Sequence, residues 1–229
     1  MMKTSHILLA LITVITLTGM VATDLLLKQQ YDRTDWRNTY QDFEKRDLPK
    51  ARHWVIEGTP TSEIIVVKTI DKPQALIAPD KIKFYRVRLQ GDTAFVSFTP
   101  DYSGYQNSPQ GDAGRELGAQ LILRLPSFQA LTVENARLTL SNLSTDSLTV
   151  SLSQSRLRTH KVAISGRFRL NAAQNSFAML GDDQYKSLQA VVADSSGLQL
   201  NNSQVDAFVR IVSPKAEIQL KGQALKWLK

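Results

Sequence analysis

The chain has 229 residues and no cysteine, with 28 lysines and arginines against 21 aspartates and glutamates for a formal charge of +7. Lacking cysteine, it forms no disulfide, thiolate metal site, cysteine nucleophile or lipid-modified cysteine. A hydrophobic content of 42% suits one sizeable domain plus an anchor and excludes wholesale disorder, while the basic balance points to anionic partners without choosing among them.

From Ile7 to Thr23 the chain carries no charge, and the run is bounded by Lys3 before it and by Asp24 and Lys28 after it. As a helix it would rise roughly 25 Å, enough with Leu25 to Leu27 to cross a bilayer. A cleaved signal peptide is the competing reading, but cutting after Ala22 would put bulky Met20 where a small residue belongs. Residues 1–28 are therefore expected to anchor the chain in the inner membrane. With Lys3 on the inner side, everything C-terminal lies outside the cytoplasm, in the periplasm.

Residues 29–50 mix charges with Trp36, Tyr40, Phe43 and Leu48 and read as a juxtamembrane stalk, a short helix or irregular spacer closed by Pro49. The pattern then changes to period two over residues 51–229. His53 to Glu57, Glu63 to Ile70, Lys81 to Gln90 and Ala94 to Thr99 read as strands, with a tight turn at Gly91-Asp92 and a bulge near Tyr85 where the parity slips. Pro100 to Gly118 reads as a long loop.

Beyond Leu121, apolar-x-apolar strands recur: Leu138 and Leu140, Leu148 and Val150, Val162 and Ile164, Phe168 and Leu170, Phe177 and Met179. Leu188, Ala190 and Val192 follow, then Leu198 and Leu200, Ala207, Val209 and Ile211, and Ile218 and Leu220. From Phe177 the spacing is close to ten, and serine, asparagine, aspartate and glycine fill the turns. Few joints carry a two-residue hairpin signature, and the polar turns suit hydrogen-bonded ladders between stacked rungs. The expected fold is all-β, a β-helix-like solenoid, with an antiparallel β-sandwich as the alternative.

The order of an apolar N-terminal helix, a charged stalk, strands around Trp54-Val55-Ile56-Glu57-Gly58, and Leu121-Ile122-Leu123-Arg124-Leu125-Pro126-Ser127-Phe128 leading into the ladder resembles the auto-transporter adhesin head family, the GIN-domain proteins of Bacteroidetes. The similarity covers most of residues 50 to 225. It implies a right-handed parallel β-helix and a cell-envelope location, and it carries over no active site. The turns here hold serine and asparagine where the family holds glycine.

There are three histidines, His6 in the apolar segment, His53 before a strand and His160 among basic residues, so a metal site built on two or more of them is not expected, and no cofactor is implied. Asp182-Asp183 after Gly181 reads as a solvated turn without the repeat pattern of calcium-loaded β-rolls. Nucleophile-elbow and phosphate-loop motifs are absent. Arg156, Arg158, His160, Lys161, Arg167 and Arg169 form the densest basic cluster. Alternation puts Arg156 and Arg158 on one face and Arg167 and Arg169 together on theirs, a candidate surface for carboxylate, sulfate or phosphate. Aromatic residues are not interleaved with the cluster, which argues against nucleic acid. The expected function is a non-enzymatic, membrane-anchored envelope module that binds, adheres or supports, its partner an envelope polysaccharide, a protein or its own copy. The alternative is a β-helix enzyme acting on an acidic polysaccharide through the Pro100 to Gly118 loop.

Overall fold

The computed structural model describes residues 4–33, 40–100 and 118–228, in two compact units. Trp36 of the expected stalk, and the interior of the expected Pro100 to Gly118 loop, lie outside the described residues. The first unit holds one helix, α1 (Thr4–Arg33), which runs on past Thr23 through Asp24 and Lys28. It is long and apolar enough to cross a membrane, a candidate spanning or signal segment. Thr13, Thr16, Thr18 and Thr23 each donate their hydroxyl to the carbonyl four residues back at 2.8–2.9 Å. That arrangement satisfies the hydroxyls without water, as hydrocarbon requires.

The second unit is a solenoid of stacked coils, each contributing one strand to either of two sheets. Strands β2 (His53–Glu57) and β3 (Glu63–Lys68) form a first coil. The ladder resumes at β8 (Ala130–Glu134) and β9 (Arg137–Ser141), and passes through β10 (Ser144–Thr145), β11 (Leu148–Ser153), β12 (Arg156–His160), β13 (Ala163–Ala173) and β14 (Phe177–Gly181). It ends through β15 (Gln184–Val192), β16 (Gly197–Asn201), β17 (Gln204–Val212) and β18 (Glu217–Lys221). Pairing along this ladder is parallel, and Phe177 stacks on Gly197 as Gly197 does on Glu217, so one coil takes about 20 residues. The ten-residue spacing of the sequence is half a coil, one strand and its turn.

Residues between the first two coils build the other end. Beyond β2 lie β6 (Thr93–Phe98) and then β5 (Tyr85–Gln90) in one sheet, and beyond β3 lie β7 (Leu121–Leu125), β4 (Gln74–Ile77) and β1 (Glu44–Asp47) in the other. Here the pairing turns antiparallel between β5 and β6, β4 and β7, and β1 and β4. Glu44 to Asp47, expected in the stalk, thus forms an edge strand. Gly91, with φ of +61°, makes the tight turn expected between β5 and β6. Lys81 to Phe84 differ from the strand expected there: Pro79 and Asp80 open a 3-10 turn over Pro79–Phe84, because proline is preset for the first helical position. The parity slip near Tyr85 is the junction between that turn and β5.

Inward side chains form columns down the coils. Leu138, Leu157, Ala178 and Leu198 are one column and Leu140, Thr159, Leu180 and Leu200 another, all buried. Phe177 and Met179, read in sequence with the core series, face outward, and small Ala178 and Leu180 face in. The same reversal holds at β17, where Val209 and Ile211 are exposed. Period two identifies two faces of a strand without saying which is inside: at β14 the larger apolar residues lie outside, and at β17 Phe208 takes the inner row while Val209 and Ile211 take the outer.

The turns are polar ladders. A residue with positive φ stands at one corner of successive coils, namely Asn142, Lys161, Asp182, Asn202 and Gly222, chiefly the types that tolerate left-handed backbone. At the opposite corner the N–H groups of Ala136, Ser155 and Ser176 donate to the hydroxyls of Ser155, Ser176 and Ser196 at 3.1–3.2 Å, each bridging to the next coil. At Gly166 the register slips, and an added Cβ there would lie 2.8 Å from the Asp146 carbonyl oxygen and 2.9 Å from Asp146 Oδ1. Gly166→Ala is therefore expected to destabilise the unit by about 1–3 kcal/mol in urea unfolding, because backbone must move to admit the methyl.

Candidate functional site

The four arginines separate into two pairs on different sheets. Arg156 and Arg158 lie on β12 in the β9–β12–β14 sheet, and Arg167 and Arg169 lie on β13 in the β11–β13–β15 sheet. Strand alternation sets the two pairs correctly, but the turn at Lys161 and Val162 sends the chain from one sheet to the other. They do not make one surface.

The Arg156 pair gains a neighbour that sequence proximity hides. Arg137 stands 19 positions earlier and is the register partner of Arg156, so the two α-carbons lie about 4.8 Å apart across parallel strands. Arg137, Arg156 and Arg158 line one hollow of about 170 Å³ with Glu63, Thr139, Phe177 and Met179. Glu63 is buried and accepts a hydrogen bond from Thr139 Oγ1 at 2.6 Å. Phe177, on the next coil, lies in the row of Arg137 and Arg156, and its ring covers Gly197, where a Cβ would approach Phe177 Cδ2 to 2.7 Å. The hollow therefore combines guanidinium forks with an aromatic and a thioether side chain. A coil length of about 20 residues, once recognised, is the signal that would have located Arg137.

The second pair opens on a larger, more polar hollow, lined by Arg52, Arg167, Arg169 and Lys186 together with Asp146, Ser147 and Thr149. Two of its cations already have partners: Arg52 Nε lies 3.8 Å from Asp92, and Arg169 Nε donates to Gln189 Oε1 at 3.3 Å.

Asp183 corrects the expected solvated turn. Asp182 sits at the exposed corner, but Asp183 is 1% exposed and takes the column of Leu143 and Val162. Its Oδ1 accepts from the Val162 N–H at 2.8 Å, and Oδ2 accepts from Tyr185 Oη at 2.8 Å and from Thr159 Oγ1. Burial raises its pKa above the ordinary 3.8, opposed by these donors. Tyr185 is raised as well, by its own burial and by the neighbouring carboxyl. This network is enclosed by the coils and offers no access to a substrate.

Among the described residues no group of three or more histidines, cysteines, aspartates or glutamates could hold a metal ion. The interior of the loop invoked for polysaccharide turnover lies outside the described residues, and among the described residues one carboxylate enters each arginine hollow, Glu63 in one and Asp146 in the other.

The architecture is thus an all-β solenoid carrying outward cationic hollows. No family model and no curated protein matches the chain. Among solved structures it is similar to a "putative adhesin" from Bacteroides fragilis, at 10% identity and a TM-score of 0.35, covering 79% of this chain and 97% of that one. It is similar also to a "putative lipid binding protein" from Parabacteroides distasonis, at 9% identity and a TM-score of 0.34, over 79% and 96% of the two chains. A third is a "putative cell adhesion protein" from Clostridium sporogenes, at 7% identity and 0.30, over 78% and 97%. At such identities and scores no residue role, ligand or activity passes to this chain.

Proposed function

We propose that this chain is a non-enzymatic binding module of the cell envelope, carried outside the cytoplasm on its N-terminal helix, whose outer β9–β12–β14 face holds an anionic polysaccharide. The observation that supports this reading is the hollow in which Arg137 and Arg156 stand in register beside Arg158, with Phe177 on the next coil. Each guanidinium fork matches two oxygens of a carboxylate or sulfate, and two such groups on neighbouring strands can converge on one anion. An aromatic ring one coil away matches the apolar face of a sugar. Carried on a ladder of backbone hydrogen bonds, the strands that bear these groups keep their spacing before the ligand arrives, which lowers the entropy cost of binding.

The test is titration of the full chain in detergent with polygalacturonate, dextran sulfate and neutral dextran. Binding of the anionic polymers is expected to fall about tenfold or more in Arg137→Ala/Arg156→Ala, a loss of charge-assisted hydrogen bonds, and to weaken with added salt. Phe177→Ala should reduce binding of the polymers but not of inorganic sulfate. Unchanged affinity in the double variant, or an equal loss in Arg167→Ala/Arg169→Ala, removes this hollow as the site.

A further inference from the structure

The terminal strand of the β11–β13–β15 sheet changes character. Down the outward columns the side chains run Thr149, Arg169, Gln189, Val209 and Ser151, Asn171, Val191, Ile211. Polar residues thus give way to apolar ones toward the end of the sheet, first at Val191 and then at both outward positions of the last strand, where Val209 is 55% and Ile211 57% exposed. The other terminal strands carry charge among their outward residues: β1 reads Glu-Lys-Arg-Asp, β5 sets Arg86 and Arg88 beside Val87 and the 51% exposed Leu89, and β18 opens on Glu217 and closes on Lys221, whereas the outward row of β17 from Ala207 to Ile211 holds no charge. Charges of this kind keep unpaired edges apart. The residues after β18 cap the coil end, with Ala224 buried and Trp227 set edge-on to Phe208 at 6.2 Å, yet they leave Val209 and Ile211 uncovered.

We infer that β17 pairs with β17 of a second copy, antiparallel, in the register that places Val209 opposite itself. Directly opposed residues of an antiparallel pair share a face, so only registers with an even sum keep inward residues facing inward. Centring on Val209 sets the outward row Ala207, Val209, Ile211 against Ile211, Val209, Ala207 of the second copy, an unbroken apolar strip. On the inner face it sets Arg210 across from Phe208 of the second copy, a cation over an aromatic ring. Centring on Arg210 would instead oppose two arginines, and centring on Phe208 would leave Ile211 facing Val205, which is wholly buried in its own coil. Arg210 therefore selects the register, and it discourages parallel stacking of coil ends, where it would enter another copy's core column.

The absence of cysteine makes the test direct, because single cysteines can be introduced into the full chain without interference. Across the two-fold axis the Val209 α-carbons would lie about 4.5–5.5 Å apart, within disulfide range. In detergent under mild oxidation, Val209→Cys is expected to form a covalent dimer about tenfold or more faster than Arg167→Cys, two strands inward, as an effective-concentration gain. Mixed Ala207→Cys and Ile211→Cys chains should cross-link to each other faster than either does to itself. Val209→Lys, with an unchanged circular dichroism spectrum, should lower the dimer fraction seen by analytical ultracentrifugation. Equal rates at Val209 and Arg167, or fastest self-linking by Ile211→Cys, would overturn the pairing. Association through α1 would bring no particular β17 residue to its own copy, and either outcome leaves the arginine hollow untouched.

Discussion

Asp183→Ala is expected to cost the β unit about 3 kcal/mol and to lower its melting temperature by roughly 10 °C, measured by thermal and urea unfolding. The alanine removes the acceptor for the Val162 N–H and the Thr159 and Tyr185 hydroxyls, all buried inside the coil stack. Asp183→Asn keeps an acceptor but abolishes the titration, which makes the pH dependence the sharper measurement. Because burial holds the folded pKa above 3.8, the folded state binds this proton more tightly than the unfolded state. The stabilisation is fully present below 3.8 and is lost as pH rises through the folded value. Wild type should therefore lose stability relative to Asp183→Asn as pH climbs from 3.8 to the folded value and level off above it, and a constant difference across the range would contradict the assignment.

Phe168→Ala is expected to cost about 4 kcal/mol by the same unfolding measurements, the usual size for emptying an aromatic site in a packed interior. The ring is wholly buried and stacks on Tyr185 at 5.0 Å between centroids, so its loss opens a cavity and also frees the tyrosine that donates to Asp183. The two changes share that tyrosine and should not be additive. A combined variant whose loss equals the sum of the two would show that ring and carboxyl act independently.

The solenoid was readable because its signals are local. Alternation marks strands, polar corners mark turns, and the interval between them repeats, so Leu138, Leu140, Leu188, Ala190, Leu198 and Leu200 all point inward as their pattern implies. What was not readable depends on stacking. Arg137 becomes the neighbour of Arg156 only when one coil lies on the next, and Asp183 reads as solvated because its turn sequence gives no sign that the column it enters is enclosed. The antiparallel end escaped for a related reason, since edge strand β1 consists of four charged residues with no alternation to mark it. Phe177 with Met179 and Val209 with Ile211 mark where apolar alternation selects the wrong face. Local pattern and global fold disagree there, as they commonly do where a surface has work beyond folding. One of these strands lies in the arginine hollow and the other forms the open edge.

Because each coil touches only the coils beside it and contributes one strand to each sheet, the molecule has no fixed length built into its packing. Duplicating or deleting about 20 residues between equivalent corners, such as those at Asp182 and Asn202, would move the two ends apart or together by one strand spacing, about 4.8 Å. The outer rows would keep their alignment. Evolution can therefore adjust the length of the stack without redesigning its interior, and can add or remove outward rows in the same step.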